Sequence, residues 1–246
     1  MTKQLMIYEN AVPLSSTTHR DLSVKPTKSL AFSQGLTAVP LVVAEFERAG
    51  VEFPIVFAGE GDALFPVAIL GLRGQENLFL GADGAWLGDY IPAFLRRYPF
   101  VFARAEAGEN LTLCIDTNHD GVNAEGLGER MFDAMGNRTR YLEDVLKFAT
   151  DYQMQHNATR VLMDRLRALD LLESAQAKGQ MPNGETVALT GFWRVSADKL
   201  ARLSDADALD LFRTGAMALI YLHMASLGQI TTLMRRAAEL APAKVA

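Results

Sequence analysis

Pro54-Ile-Val-Phe57, Phe65-Pro-Val-Ala-Ile-Leu70, Asn77-Leu-Phe-Leu80, Phe100-Val-Phe-Ala103 and Leu111-Thr-Leu-Cys-Ile115 are five short apolar runs between Phe53 and Asp116. Each is bounded by Gly, Asp or Asn, so the stretch reads as a series of β-strands. Gly59-Glu-Gly-Asp62, Ala82-Asp-Gly84 and Ala107-Gly-Glu-Asn110 supply hairpin-type connections. Asp89 to Tyr98 interrupts the series. Its apolar residues Ile91, Phe94 and Leu95 recur at helical spacing and Pro92 fits a first turn, which predicts a short helix.

Working outward, Val39, Leu41, Val42, Val43 and Phe46 crowd together and predict a strand or short helix leading to Gly50. Residues 1–35 are polar and punctuated by Pro13, Pro26 and the run Ser15-Ser16-Thr17-Thr18, which reads as an extended arm with a turn. After Gly136 the pattern turns helical. Thr139 can cap a helix carrying Tyr141, Val145, Phe148 and Tyr152, and Ala158, Leu162, Leu166 and Leu169 continue it as one long helix or two in series. Thr186 to Arg194 alternates and returns to the sheet. Ser204, with Asp207 three residues on, opens a helix over Asp205 to Phe212. Strands first and helices later define an α+β fold, with an antiparallel β-rich N-terminal half packed on a helical C-terminal half. The expected organisation is an arm over 1–35 and one domain over 36–246, β-rich to 135 and mainly helical from 136.

Composition bounds the function. Hydrophobic residues are 49% and charged residues 22% of 246, enough apolar area to fold rather than remain disordered. A net charge of −5 disfavours nucleic acid as a partner, because a duplex binder needs a basic face. Cys114 is the only cysteine, which removes intrachain disulfides and Cys-rich zinc sites. The first ten residues have one basic residue and no apolar core, unlike a secretory leader, so the expected location is cytoplasmic. Thr214 to Met234 holds no Asp, Glu, Lys or Arg and is long enough to span a bilayer. Thr214, His223, Ser226, Gln229, Thr231 and Thr232 lie inside it, and each would need a partner in hydrocarbon, so a buried core helix is the expectation and no membrane span is.

Two motifs suggest metal chemistry. His19-Arg20-Asp21-Leu22 contains the His-x-Asp half of an iron facial triad, with His119, His156 or His223 as the distant second histidine. A jelly-roll oxygenase needs strands ahead of that motif, and 18 residues leave no room for them. A kinase catalytic loop is excluded because Pro26 stands where its Asn belongs. Asp116-Thr-Asn118-His-Asp120-Gly121 matches the start of a calcium loop, but Leu127 occupies the twelfth position, where a bidentate Glu belongs. The alternative for Asp116, Asn118 and Asp120 is a polar turn bonding its own backbone. No Gly-x-Ser-x-Gly is present, Cys114 lies in an apolar strand, and His223 reads as a core histidine. The most unusual block runs through Arg73, Glu76 and Asn77, then Trp86, Tyr90, Arg96 and Arg97. It combines residue types enriched in binding patches.

Pro13-Leu14 with His19-Arg-Asp-Leu22, Ala38-Val-Pro-Leu-Val-Val-Ala-Glu-Phe46, Phe53-Pro-Ile-Val-Phe57, Pro66-Val-Ala-Ile-Leu-Gly-Leu-Arg73, Glu76-Asn-Leu-Phe79, Tyr90-Ile-Pro-Ala-Phe94, Arg96-Arg-Tyr-Pro-Phe100, Leu113-Cys-Ile-Asp116, Leu189-Thr-Gly-Phe192 and Ile220-Tyr-Leu-His-Met-Ala-Ser-Leu227 occur in order. With these segments the chain resembles the SapC-like family of bacterial proteins, named from a surface-layer operon. The peptide-transporter permease that shares the name is unrelated. The resemblance implies a role around surface-layer export or outer-membrane uptake, and it carries over no catalytic residue and no cofactor. The leading expectation is a non-enzymatic accessory or binding protein whose partner is a protein or a small molecule. The alternatives are a metal-dependent oxygenase using His19 and Asp21, and a membrane-attached export component using the C-terminal helix. His19, Arg20 and Asp21 are expected to dock near Arg73, Glu76 and the Arg96-Arg97 pair.

Overall fold

Turn residues cut the first half of the chain into strands of two to six residues, and distant partners complete each sheet. A computed structural model describes residues 7–104, 111–180, 184 and 186–240. In chain order they form β1 (Ala11–Pro13), β2 (Ser23–Val24), β3 (Ala38–Pro40), α1 (Phe46–Ala49), β4 (Ile55–Ala58), β5 (Phe65–Ile69), α2 (Ala93–Arg96), β6 (Phe100–Arg104), β7 (Leu111–Asp116), β8 (Val122–Asn123) and β9 (Glu129–Arg130). The 29-residue α3 (Arg140–Ala168) follows, then β10 (Leu172–Gln180), β11 (Thr186–Val195), α4 (Ala197–Leu200), α5 (Asp205–Arg213), α6 (Ala216–Ser226) and α7 (Gln229–Glu239). The α+β class stands, with antiparallel sheets in the N-terminal half and a helical C-terminal region.

The strands make three antiparallel sheets, ordered β10-β11-β4-β5-β3, β1-β7-β6 and β8-β2-β9. Thr139 caps α3 by accepting the Leu142 N–H at 3.3 Å. Leu142, Ala149, Tyr152, Thr159, Leu162, Met163 and Leu166 make a buried stripe along α3 at steps of three, four and seven. Its first half packs on a core with Phe100, Leu113, Ile115 and Met131. Its second half joins the main core, under the five-stranded sheet, with Phe46, Phe53, Ile55 and Phe57. One continuous helix therefore packs on both cores.

Four expectations need correction or completion. Asn77-Leu-Phe-Leu80 is not a strand; only Leu80 bridges Trp86, around the Ala82-Asp-Gly84 turn. The Asn77 side chain accepts the Phe79 N–H at 3.0 Å and donates to the Ser33 carbonyl at 3.0 Å, bending the run instead of extending it. The short helix is confined to Ala93–Arg96, with Pro92 at its cap. The C-terminal half also contains β10, which completes a hairpin with β11. The arm is woven into two sheets, because β1 pairs with β7 and β2 lies between β8 and β9. The Ala107-Gly-Glu-Asn110 connection lies outside the described residues.

The helical layer is attached to the sheet by two side chains of α6. β11 meets β4 at Trp193 opposite Phe57, and that register sets Val195 opposite Ile55. The His223 imidazole fills the gap. Its Nε2 accepts the Val195 N–H at 3.1 Å and its Nδ1 donates to the Ile55 carbonyl at 2.9 Å. A backbone N–H can only donate and a carbonyl only accept, so the proton sits on Nδ1. Ser226 Oγ accepts the Ile55 N–H at 3.0 Å and donates to the His223 carbonyl at 2.6 Å. Both side chains are fully buried.

Burial pushes His223 down to about 4 from an ordinary 6.5, with the Ile55 carbonyl opposing the shift. The unfolded chain then binds more protons than the folded one between those values. The histidine's contribution is complete above 6.5 and is lost as pH falls toward 4, by about 3 kcal/mol in all. His223→Gln keeps a donor and an acceptor but does not titrate. The difference in unfolding free energy between native protein and His223→Gln, measured in guanidinium, is expected to move against the native protein from pH 7 to pH 4.5. A difference equal at both pH values contradicts the assignment.

Candidate functional site

The acidic loop after β7 is built to hold backbone. Asp116 is fully buried; Oδ1 accepts the N–H groups of Asn10 at 3.1 Å and Asn118 at 3.0 Å, and Oδ2 accepts the Glu9 N–H at 2.8 Å. Tyr98 adds its hydroxyl at 3.4 Å. These donors take the lone pairs a cation would need. Asn118 and Asp120 are exposed, and His119 Nδ1 accepts the Gly121 N–H at 2.9 Å. Asp116 thus fastens the arm to the second core, and Tyr8 completes the attachment by donating to the Phe100 carbonyl at 2.6 Å.

His19, Arg20 and Asp21 lie elsewhere on the arm. His19 Nδ1 accepts the Ser15 N–H at 3.0 Å, closing a local turn. Asp21 is exposed and faces Arg130 at 3.8 Å. The Arg20 guanidinium lies beside Gly136. The expected docking onto Arg73, Glu76 and Arg96-Arg97 is therefore replaced by contacts with the β9 region and the turn before α3. The cause is local: Ser15 and Thr18 engage His19, and β2 pairing carries the motif toward Arg130.

The Arg73-to-Arg97 block divides into three parts. Glu76 closes a turn, with Oε2 accepting the Leu72 and Arg73 N–H groups and Oε1 meeting Arg73 Nη1 at 2.7 Å. Arg97 is buried, its guanidinium 4.7 Å from the ring centres of both Phe94 and Tyr152, so it packs inside the fold and not on its surface. Trp86, Tyr90 and Arg96 come together. Trp86 Nε1 donates to the Tyr90 carbonyl at 2.9 Å, and Arg96 Nε donates to the Ile91 carbonyl at 2.9 Å.

Two carboxylates outside that block position it. Buried Glu45 reaches back from the turn before α1 to the Val42 N–H at 3.0 Å and accepts the Ala93 N–H at 2.6 Å and the Tyr90 hydroxyl at 2.9 Å. Burial raises its carboxyl above the usual range, and the Ala93 and Val42 N–H groups, Tyr90 and Arg96 oppose the rise. Glu52 accepts the Asp89 N–H at 3.0 Å and the Tyr90 N–H at 2.9 Å. Tyr90 is pushed up to about 12, mainly by burial and then by Glu45, so its phenol stays a donor.

The outer side of this bracket is a cation–aromatic face. Arg48 and Arg96 sit 5.3 and 5.7 Å from the Tyr90 ring centre, and Arg96 is also 5.3 Å from that of Phe148 on α3. Both arginines are exposed and neither forms an ion pair among the described residues. Guanidinium groups fixed against rings suit carboxylate or phosphate. Sequence reasoning named Trp86, Tyr90 and Arg96 but missed Glu45, Arg48, Glu52 and Phe148. Glu45 lacks a capping signal in the sequence, because Val42 stands where a capping box needs Ser or Thr. Nothing local marks Glu52.

Among the described residues no group of three His, Cys, Asp or Glu could hold a metal ion. The donor set that the oxygenase alternative requires is not assembled there. The fold and this face define an α+β protein of antiparallel sheets and a helical layer, with a cation–aromatic face on its surface. A family model described as SapC matches residues 14–233, and the chain belongs to the SapC family. No curated protein and no solved structure matches it.

Asp116→Ala leaves three backbone N–H groups without their acceptor and is expected to cost about 2–4 kcal/mol in denaturant unfolding. Amide exchange at Glu9 and Asn10 rises with it. Millimolar Ca²⁺ leaves the native melting temperature unchanged. A stability loss under about 0.5 kcal/mol, the scale of an ordinary surface change, contradicts the clamp.

Proposed function

We propose that this SapC-family protein is a non-enzymatic accessory or binding protein, linked in bacteria to surface-layer export or outer-membrane uptake, and that it engages an anionic partner. The observation that carries the reading is the Arg48, Tyr90, Arg96 and Phe148 face, with its two exposed guanidinium groups held over aromatic rings. Glu45 and Glu52 fix that face from inside, so the partner meets a surface already ordered. Family membership supports the surface-layer or uptake setting. The partner's class, protein or small molecule, is set by what presents the anion.

A cytoplasmic location without a membrane span belongs to the same proposal. Ala216–Glu239 is long and apolar enough to cross a membrane by length and composition alone. Against it, His223 and Ser226 in that segment already have their partners in β4 and β11. Withdrawing them into lipid would break three hydrogen bonds to the strands.

The test is cross-linking capture from the native bacterium with tagged protein, native against the double variant Arg48→Ala, Arg96→Ala. Loss of the captured partner, with unfolding shifted by less than about 1 kcal/mol as for exposed charges, is the expected result. Undiminished capture by the double variant would remove the face from the proposal.

A further inference from the structure

Among the described residues, the outer edge of β7 is covered only from Leu113 to Asp116. β1 pairs Ala11, Val12 and Pro13 with Asp116, Ile115 and Cys114, and one further bond runs from the Leu14 N–H to the Leu113 carbonyl at 2.8 Å. The arm then turns away, because the Ser15 N–H donates to His19 Nδ1 and the Ser15 carbonyl accepts the His19 N–H at 2.9 Å. Peptide groups alternate in direction along a strand. Since the Leu113 carbonyl faces β1, the Leu111 N–H and carbonyl point to that same side. No strand among the described residues covers Leu111 there, while β6 pairs with the opposite side as far as Arg104.

An open groove of about 550 Å³ runs along this bare edge. Leu14 and Leu146 give it apolar lining, backed by the buried Phe132 and Leu142, and Arg138 lines it as well. Gly136 also lines it, and the Arg20 guanidinium lies 3.5 Å from the point where a Gly136 side chain would begin. Arg20 and Arg138 are both exposed, and neither forms an ion pair among the described residues. Asp133, the acid of the same turn, is occupied: Oδ1 accepts the Met135 and Asn137 N–H groups and Oδ2 the Asn137 side chain. The groove therefore joins an unpaired main-chain edge, an apolar wall and a basic rim.

We infer that this groove takes an extended, acidic segment of another polypeptide, which adds to β7 as a strand in the line that β1 abandons at Ser15. In antiparallel register one residue of that segment bonds both the N–H and the carbonyl of Leu111. Side chains on one face of the segment rest on the half-buried Leu14 and Leu146, and an acidic side chain meets Arg138 and Arg20. The inference is independent of the Arg48–Tyr90–Arg96 face. It also gives His19 a role without metal, since its bond to Ser15 turns the arm aside from the edge at Leu111.

The test uses fluorescence anisotropy of the full chain with labelled peptides alternating Val with Glu or Val with Lys, and a Val–Glu peptide N-methylated along its backbone. Saturable binding of the unmethylated Val–Glu peptide is expected, with neither of the others binding. Arg138→Glu is expected to weaken it by about tenfold or more, the scale of one charge-assisted contact. Leu111→Pro removes the donor on the bare side without touching the β6 ladder, and it abolishes binding while the melting temperature stays the same. The N-methylated peptide makes the same test on the peptide side, independent of how Leu111→Pro folds. Equal binding of the Lys peptide, retained binding after N-methylation, or binding of anionic vesicles but not peptide overturns the inference.

Discussion

A histidine side chain completes the main sheet. Between Ile55 of β4 and Val195 of β11 the ladder is interrupted, and the His223 ring relays the bond from one backbone to the other. Ser226 satisfies the remaining group of Ile55. Buried backbone groups cannot be left unpaired without a cost comparable to a lost hydrogen bond, so the strands need α6 as much as α6 needs the strands. The order of the domain follows from this. The joint made by His223 and Ser226 ties α6 to β4 and to the β10–β11 hairpin.

The same economy recurs in the loops. Glu45, Glu52 and Asp116 each bind backbone N–H groups of a segment lying 37 to 107 residues away in the chain. Charged acceptors make stronger bonds than neutral ones, and they hold loops that have little regular structure of their own. Two of these acids present Tyr90 and the arginines around it, while the third holds the arm that borders the groove. Acids bound to backbone thus order both surfaces on which a partner is proposed to sit.

The sequence was most legible where periodicity and turn chemistry agreed. The Gly59-Glu-Gly-Asp62 connection sits between β4 and β5 as expected, Thr139 caps one long helix, and Ser204 caps α5 by accepting the Asp207 N–H. β10 was not legible, because Leu172–Gln180 alternates small Ala residues with polar ones and lacks the β-branched and aromatic residues that mark a strand. Asn77 misled in the other direction, since its side chain competes with the sheet for backbone partners. Of the candidate site, the aromatic and arginine residues near position 90 were visible as a local cluster. The acids that orient them, and Arg48 and Phe148 beside them, come from other elements. Such long-range pairings leave no mark on local spacing.

The most direct test of the central joint is nitrogen NMR of the His223 imidazole in the intact protein. The account predicts a neutral ring with its proton on Nδ1 and an accepting Nε2, unchanged from pH 7 down to about 5, given a value pushed down to about 4. A ring that titrates near 6.5, or that exchanges between both tautomers at pH 7, would show that His223 does not bridge the strands.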